Sequence, residues 1–342
     1  MATAKPANHP PVKPPKIGVL LLNLGTPDAT DYWTVRRYLK EFLSDRRVID
    51  TNPLLWWPIL NLAILSFRPQ KSGHAYAKIW DREANDSPLR VITRRQAENL
   101  QQRFAATPQV LVDFAMRYGK PSTEERLRAM QAAGCQKILL MPMYPQYSAT
   151  TTATASDKAF DVLKTMRWQP AIRTAPAYFD QPHYIETLAA SIEDGVKGLD
   201  FVPDAVITSY HGMPVSYLEA GDPYHCQCQK TTRLLREHLG WPEDKVLLTF
   251  QSRFGRAEWL KPYTAETLRE LPGKGIKKIA ILAPAFSVDC IETLEEIAIT
   301  GREQFMGAGG EAFGYIPCLN DSDRGMAMLE QMVRRELAGW LA

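Results

Sequence analysis

The sequence predicts an α/β protein built from two similar doubly wound halves, each with a parallel sheet covered by helices. Apolar runs of strand length alternate with amphipathic stretches of helix length, which is typical of βαβ units. The apolar runs are rich in Val, Ile and Leu and lack clean alternation, as expected for strands buried on both faces. They fall into two groups, before and after the proline-containing segment 170–182, which we interpret as a crossing between domains.

The order of these patterns predicts the individual elements. Strands are predicted at 16–24, 110–116, 137–143, 205–210, 246–250 and 277–283. Helices are predicted at 31–43, 89–104, 123–133, 184–196, 229–239 and 291–305. The expected organisation is a flexible proline-rich tail at 1–15, domains at 16–175 and 176–318, and a C-terminal helical segment at 319–342 that packs back on the first domain.

Composition excludes several classes of function. The chain is 45% hydrophobic and 23% charged, which is typical of a folded globular protein. Its 41 Lys and Arg are scattered among 38 Asp and Glu, so nucleic-acid binding is not expected. The tail lacks the apolar run of an export signal, and the longest apolar stretch, 53–67, is too short to span a bilayer. The five cysteines are mostly far apart in sequence, which favours a reducing cytosol, so we expect a cytoplasmic protein.

The most informative single position is His211, at the end of the predicted strand 205–210. Ligands of parallel α/β sheets bind beyond the carboxyl ends of the strands. An imidazole placed there can accept a proton or bind a transition metal near neutral pH. The alternative is a loop histidine whose ring is satisfied by backbone partners.

A second candidate site is the acidic pair at the start of the helix that follows strand 277–283. Glu292 and Glu296 are four residues apart, so they would share one face of an α-helix and could form a ladder leading inward. The alternative is a solvated face with acids favoured near a helix N-terminus. The functional interpretation is favoured because this helix begins where a ligand cleft is expected, in the same half as His211.

Aromatic and arginine residues also gather at strand ends. Arg117 and Tyr118 follow one strand, Tyr147 follows the next, and Trp259 lies beyond a later one. Together they could line a pocket for a flat apolar ligand bearing carboxylates, because aromatic faces stack and arginines pair with acids. Each alone is more commonly a packing residue. Residues 150–152, all threonine, are predicted to cap a helix.

Taken in order, eight motifs resemble the ferrochelatase family, with a match from about Ile17 to Asp321. They are LLNLGTPD at 21–28, RRYLKEFLSD at 36–45, MRYGKPS at 116–122, MYPQYSATTT at 143–152, SYHGMP at 209–214, GDPY at 221–224, TFQSRFGRAEWL at 249–260 and DCIETLEEI at 289–297. The resemblance implies two Rossmann-like domains enclosing a cleft, as in chelatases. It also implies insertion of Fe(II) into a porphyrin, most simply protoporphyrin IX, to give haem.

The resemblance further implies roles for individual residues. His211 and Glu292 correspond to the catalytic and metal-binding pair, with His211 as pyrrole proton acceptor or metal ligand and Glu292 as metal ligand or proton path. The implied proton path continues through Asp289 and Glu296. Segment 53–67 corresponds to an apolar lip over the pocket mouth, through which peripheral contact with the inner face of the membrane is expected. The expected porphyrin contacts are Leu24, Arg117, Tyr118, Trp259 and Phe286, to which the strand-end pattern adds Tyr147.

Two departures from the family pattern concern metals. Some members carry an iron–sulfur cluster, in eukaryotes on three cysteines of a C-terminal extension, but no cysteine follows Cys318 here. Cys226 and Cys228 lack the further ligands of a closed metal site. We therefore expect no tightly bound cofactor, with Fe(II) as a substrate. Some members also have a histidine two positions before Glu292, and this sequence has Cys290 there, so that further candidate ligand is absent.

Two alternatives stay open at this point. One is a related chelatase that inserts another metal into another tetrapyrrole, although such relatives place two histidines at the metal. The other is a non-enzymatic haem or metal carrier, a class that is usually exported. Within the ferrochelatase interpretation, protoporphyrin and the more carboxylated coproporphyrin are both compatible with the sequence.

Overall fold

Two four-stranded parallel sheets form the centre of the molecule. The computed structural model describes residues 8–9, 13–255 and 257–341, so most of the predicted tail lies outside the described residues. The first sheet contains β1 (Lys16–Thr26), β2 (Val110–Gly119), β3 (Cys135–Pro142) and β4 (Ala171–Thr174). The second contains β5 (Ala205–His211), β6 (Val246–Gln251), β7 (Lys278–Leu282) and β8 (Ala312–Tyr315). Their orders are β2-β1-β3-β4 and β6-β5-β7-β8, and the predicted doubly wound α/β fold is confirmed.

Helices cover both sheets. The first half contains α1 (Tyr32–Leu43), α2 (Pro53–Pro58), α3 (Leu65–Ile79), α4 (Pro88–Arg103), α5 (Thr123–Ala132) and α6 (Thr154–Lys164). The second contains α7 (Pro182–Lys197), α8 (Val215–Glu219), α9 (Tyr224–Leu239), α10 (Thr264–Glu270), α11 (Ile291–Thr293) and α12 (Arg302–Gly307), followed by α13 (Asp323–Glu336). π-Helical segments lie at Ile59–Ile64, Ala149–Ala153 and Leu294–Gly301, and a 3₁₀ turn lies at Pro272–Lys274.

Two local expectations from the sequence are wrong, and two short strands are not predicted. The segment 170–182 contains the edge strand β4, and β8 was not predicted either, because four residues are too few to show a strand pattern. The predicted helix 291–305 is α-helical only at its ends. Residues 150–152 do not cap a helix: they lie within the π-helical turn, and Ser148 is the cap, accepting a hydrogen bond from the Thr150 N–H.

One apolar core connects the two halves. Val19 and Leu21 of β1 belong to the same buried cluster as Leu282 of β7, together with one face of α13. That face buries Met326, Met328, Leu329, Met332 and Val333. Burial of each such side chain contributes about 1.5–3 kcal/mol. Arg103 of α4 forms an ion pair with Glu330 of α13 at 3.2 Å, so the last helix contacts the first half. The domain boundaries at 175 and 318 stay predictions.

Candidate functional site

The second sheet has its topological switch point between β5 and β7, where the chain winds in opposite directions from the central strands. The ladder between these strands ends at the pair Thr208 and Leu282, whereas β5 continues to His211. The chain after β7 leads to α11, whose second residue is Glu292. A crevice outside the carboxyl ends of strands at a switch point is where ligands bind in such sheets. The histidine and the glutamate therefore come from the two strands that border this crevice.

The tautomer of the neutral His211 ring follows from its hydrogen bond. Nδ1 lies 2.7 Å from the carbonyl oxygen of Gly212. Because a carbonyl only accepts, Nδ1 carries the hydrogen and Nε2 keeps its lone pair. The Gly212 N–H donates to the Gln251 carbonyl oxygen at 2.7 Å, and a Cβ at position 212 would lie 2.5 Å from that oxygen. The glycine after His211 is thus required by the close approach of β6.

A buried glutamine joins the strand of His211 to the helix of Glu292. Gln251 is the last residue of β6 and pairs in register with His211. Its side-chain Nε2 donates to the main-chain oxygen of Glu292 at 2.7 Å. The two predicted site residues are therefore held to one another through a single intervening side chain.

The acids on the π-helical segment face different surroundings. Glu295 forms an ion pair with Lys78 of α3 at 2.8 Å. Glu296 accepts hydrogen bonds from the Ser252 hydroxyl and from Gln251 Nε2, the latter at 3.4 Å. Burial, and secondly the carboxylate of Glu292, raise the pKa of Glu296 to about 7. A carboxyl group with such a pKa can exchange a proton near neutral pH.

Helix α3 of the first half faces the acids from the opposite side. Burial and the nearby Glu292 carboxylate raise the pKa of the Tyr76 hydroxyl. Burial lowers the pKa of the Arg68 guanidinium, while Glu296 and Glu292 oppose this shift. The same guanidinium lies 5.0 Å from the centre of the Phe254 ring. A cation from the first half thus compensates part of the acidic charge of the second.

Asp289 lies at the entrance to α11 and is buried. Its Oδ1 accepts hydrogen bonds from Tyr315 Oη at 2.5 Å, from Thr293 Oγ1 at 3.0 Å and from the Cys318 N–H at 3.3 Å. Its Oδ2 accepts from Asn320 Nδ2 at 2.7 Å. These bonds fix the loop that leads to Glu292, and the place of Asp289 on a proton path stays a prediction.

Arg117 and Tyr118 converge on one partly buried carboxylate. Both the guanidinium and the tyrosine hydroxyl donate to Asp45 Oδ2, the hydroxyl at 2.8 Å. Arg117 also donates to Thr154 Oγ1 at 2.7 Å, and its guanidinium carbon lies 4.3 Å from the centre of the Tyr118 ring. Burial alone would raise the pKa of Asp45, but hydrogen bonds from Thr154 and the Arg47 N–H bring it below its usual value. Arg117 is thus neutralised within the protein, and the porphyrin contacts expected of this pair stay predictions.

The other expected porphyrin contacts are partly buried. Leu24 packs between two apolar clusters of the first half. Phe286 packs between a cluster of the second half and a small cluster that joins the two halves. The Tyr147 N–H donates to Gln227 Oε1 at 2.7 Å. Trp259 forms an isolated antiparallel β-bridge with Pro214, which lies three residues after His211. Its buried Nε1–H has no hydrogen-bond partner among the described residues, so it is available to a ligand or to water.

Segment 53–67 presents an apolar surface to solvent. Five of its side chains are between 63% and 85% exposed: Leu54, Leu55, Trp57, Leu62 and Phe67. Contiguous exposed apolar surface of this kind marks contact sites in soluble proteins. Among the helices of the described residues, none combines the length and the apolar character needed to cross a bilayer.

Comparison with known proteins decides the family. A family model described as Ferrochelatase matches residues 16–337. The chain belongs to the ferrochelatase family. It is 58% identical over 336 residues to a ferrochelatase of Allorhizobium ampelinum, with 98% of each protein covered. It is 57% identical over 333 residues to a ferrochelatase of Rhizobium meliloti, covering 97% of this chain and 98% of the relative.

Solved structures of chelatases share the fold. SirB from Bacillus subtilis with Fe3+ gives a TM-score of 0.57 at 12% identity, covering 95% of this chain and 97% of SirB. SirB in complex with cobalt gives 0.54 at 9% identity, covering 95% of this chain and 96% of that one. At such identities the likeness concerns the fold alone. Members of the ferrochelatase family are lyase-type metallochelatases that insert iron into a porphyrin in haem synthesis, so the activity predicted from the resemblance is confirmed.

Four residues of the site were given no individual role by sequence reasoning. Asp45 lies at the end of the motif RRYLKEFLSD, and Gln251 and Ser252 lie within TFQSRFGRAEWL. The motifs mark these three residues as candidates. Their neighbours in the sequence do not show that the side chains contact an arginine or the acidic pair. Arg68 directly follows the apolar lip, and only the packing of α3 against the π-helical segment brings it to the acids.

Proposed function

We propose that His211 and Glu292 carry out the iron insertion of this ferrochelatase family member, with protoporphyrin IX as the substrate. The observation that supports this most directly is their arrangement at the switch point, where Gln251 connects the histidine strand to the glutamate helix. A porphyrin in that crevice would meet an imidazole with an available lone pair and a pair of acids.

The chemistry of metal insertion requires both kinds of group. A free-base porphyrin carries two pyrrole N–H protons, and both must leave when Fe(II) enters. Nε2 of His211 accepts a pyrrole proton because Nδ1 is occupied by the Gly212 carbonyl. Glu292 binds the incoming ion or takes the second proton, and in both cases Glu296 carries that proton away. Imidazole and carboxylate are suitable ligands for Fe(II), and two ligands are few enough to release it. A cleft that favours the bent macrocycle over the flat one would assist both steps.

A substrate comparison tests this proposal. The purified protein is given Fe(II) without oxygen, together with protoporphyrin IX, coproporphyrin or sirohydrochlorin, and insertion is followed by absorption. We expect the highest kcat/KM with protoporphyrin IX. A higher value with coproporphyrin would replace the substrate in the proposal, and turnover of sirohydrochlorin alone would contradict it.

Iron in this proposal is a substrate, and no resident cofactor is needed for the chemistry described. The cysteines do not form one group in the fold. Cys135 is buried in the first sheet, whereas Cys226 and Cys228 lie on α9 and Cys290 and Cys318 are buried near Asp289. Iron and sulfide analysis of anaerobically purified protein tests this part of the proposal, since a cluster would give stoichiometric amounts of both.

We further propose a cytoplasmic location with peripheral membrane contact through segment 53–67. The exposed apolar side chains of this segment support the proposal, because their transfer from water into the interfacial region of a bilayer is favourable. The lip also precedes Arg68, which faces the acids, so a membrane-bound lip would keep the pocket mouth close to apolar porphyrin in the bilayer.

Replacing two lip residues should weaken membrane contact. We expect the double variant Trp57→Ser and Leu62→Ser to bind phosphatidylcholine vesicles at least about tenfold more weakly than the wild type, because each side chain contributes about 1.5–3 kcal/mol when buried. Co-flotation with vesicles measures this. The control is Trp168→Ser, which changes a tryptophan that is 48% exposed outside the lip and should bind as the wild type does. Equal weakening in both variants, or none in the lip variant, would rule out the lip as the contact.

A further inference from the structure

Ser252 has an unusual backbone conformation at the edge of the site. It directly follows β6 and has φ 63°, in the left-handed region. A residue with a Cβ is disfavoured there, and glycine is the residue that adopts this conformation without strain. Strained residues persist where the surrounding structure holds them, and they concentrate at functional sites.

The strained conformation brings the Ser252 side chain to an acid of the site. Its hydroxyl donates to Oε2 of Glu296. The next two residues, Arg253 and Phe254, are exposed. The serine therefore makes its side-chain contact toward the acidic pair, while the loop turns outward behind it.

Gln251 supplies a second hydrogen-bond donor to Glu296, and its amide group is fixed to the second sheet. Its Nε2 lies 3.4 Å from the same Glu296 oxygen and 2.7 Å from the Glu292 main-chain oxygen. Its Oε1 accepts from Ser209 Oγ at 2.8 Å, which orients the amide so that the NH₂ group faces the acids. The hydroxyl of Ser209 lies 2.9 Å from Thr264 Oγ1, and Thr264 Oγ1 lies 2.8 Å from Thr249 Oγ1. This buried chain of hydroxyl groups anchors the donor to β5 and β6.

We propose that Ser252 is a positioning residue for Glu296 and that its left-handed backbone serves to place its hydroxyl there. Gln251 holds the same acid and Glu292 to the strand that carries His211. The π-helical segment that bears Glu296 is thereby fixed relative to the imidazole. This inference rests on the proposed function, in which Glu296 moves protons away from the metal-insertion site.

Three substitutions at one position separate the hydroxyl from the backbone. Ser252→Gly removes the hydroxyl and the strain, Ser252→Ala removes only the hydroxyl, and Ser252→Thr keeps the hydroxyl while adding a branched Cβ to a left-handed residue. The full-length variants are compared by thermal unfolding midpoint and by steady-state kcat and KM for Fe(II) and protoporphyrin IX. No other residue is changed.

We expect the glycine and threonine variants to show opposite trends in stability and activity. The glycine variant should unfold at the highest temperature of the three, and yet it and the alanine variant should both lose about tenfold in kcat, the effect of one hydrogen bond to a charged group. KM for the porphyrin should stay within about threefold, because the contact made is to Glu296 and not to the ring. The threonine variant should be the least stable but keep most of the wild-type kcat.

A glycine variant with wild-type kcat would overturn the inference, because it would show that only the turn matters. Wild-type kcat in the alanine variant would overturn it too. If the wild type inserts no iron, the proposed function itself fails. If the wild type is active and the variants do not follow the expected pattern, only the positioning role of Ser252 fails.

Discussion

Replacing His211 by alanine is expected to lower kcat for iron insertion by about 10²–10⁴-fold, the contribution typical of a positioned general base. The structure gives the reason. Nδ1 is committed to the Gly212 carbonyl, so Nε2 is the atom available to accept a pyrrole proton. Alanine offers no acceptor at this place. The KM for porphyrin should change by less than about threefold, since the imidazole acts as a proton acceptor and contributes little to porphyrin binding.

Steady-state insertion of Fe(II) into protoporphyrin IX measures this effect. His238→Ala is the matched control, because His238 is exposed in the last turn of α9 and should be replaced without effect on kcat. Porphyrin binding by fluorescence quenching shows whether the His211 variant still has an intact pocket. Wild-type turnover of the His211 variant would leave the ring as a loop histidine satisfied by its backbone partner.

The second large effect is expected for Glu292→Gln, which keeps the shape of the side chain and removes its charge. We expect kcat to fall by about 10²-fold or more, because an amide neither accepts a proton nor attracts Fe(II) as a carboxylate does. Burial and the charge of Glu292 together hold the pKa of Glu296 at about 7. Removing that charge should therefore lower the pKa of Glu296 and make it a weaker proton acceptor.

The control for this variant lies on the π-helical segment that directly follows α11. Glu295→Gln is the same chemical change three residues further along, on an acid that pairs with Lys78 instead of facing Gln251. We expect its kcat to stay within about threefold of the wild type, as for most substitutions near the surface. Equal losses in the two variants would indicate that the charge of the whole helix matters and that Glu292 has no special role.

Much of the fold could be predicted because its strands are buried on both faces. The central strands β1 and β7 contain continuous apolar runs in the sequence. The edge strands β2 and β6 are long enough to be predicted, but β4 and β8 have only four residues each and could not be. The π-helical segment Leu294–Gly301 was also missed, because a wider helical turn leaves no mark in composition or periodicity.

The residues of the site fall into the same two groups, those that can be predicted from the sequence and those that cannot. His211 and Glu292 could be predicted because each follows a recognisable strand, and the edge of a parallel sheet brings strand ends together. The role of Gln251 depends on a contact with a residue 41 positions away, and that of Arg117 on a carboxylate 72 positions away. The strain at Ser252 is a backbone angle. Such properties arise only when the whole chain has folded.

A crystal structure of the protein with metal-free protoporphyrin IX tests the pairing of His211 and Glu292 most directly. We expect the macrocycle in the crevice between β5 and β7, with Nε2 of His211 about 3 Å from a pyrrole nitrogen and Glu292 facing the centre of the ring. A ring bound elsewhere, or one in the crevice with Nε2 beyond hydrogen-bond reach of every pyrrole nitrogen, would contradict the roles given to both residues.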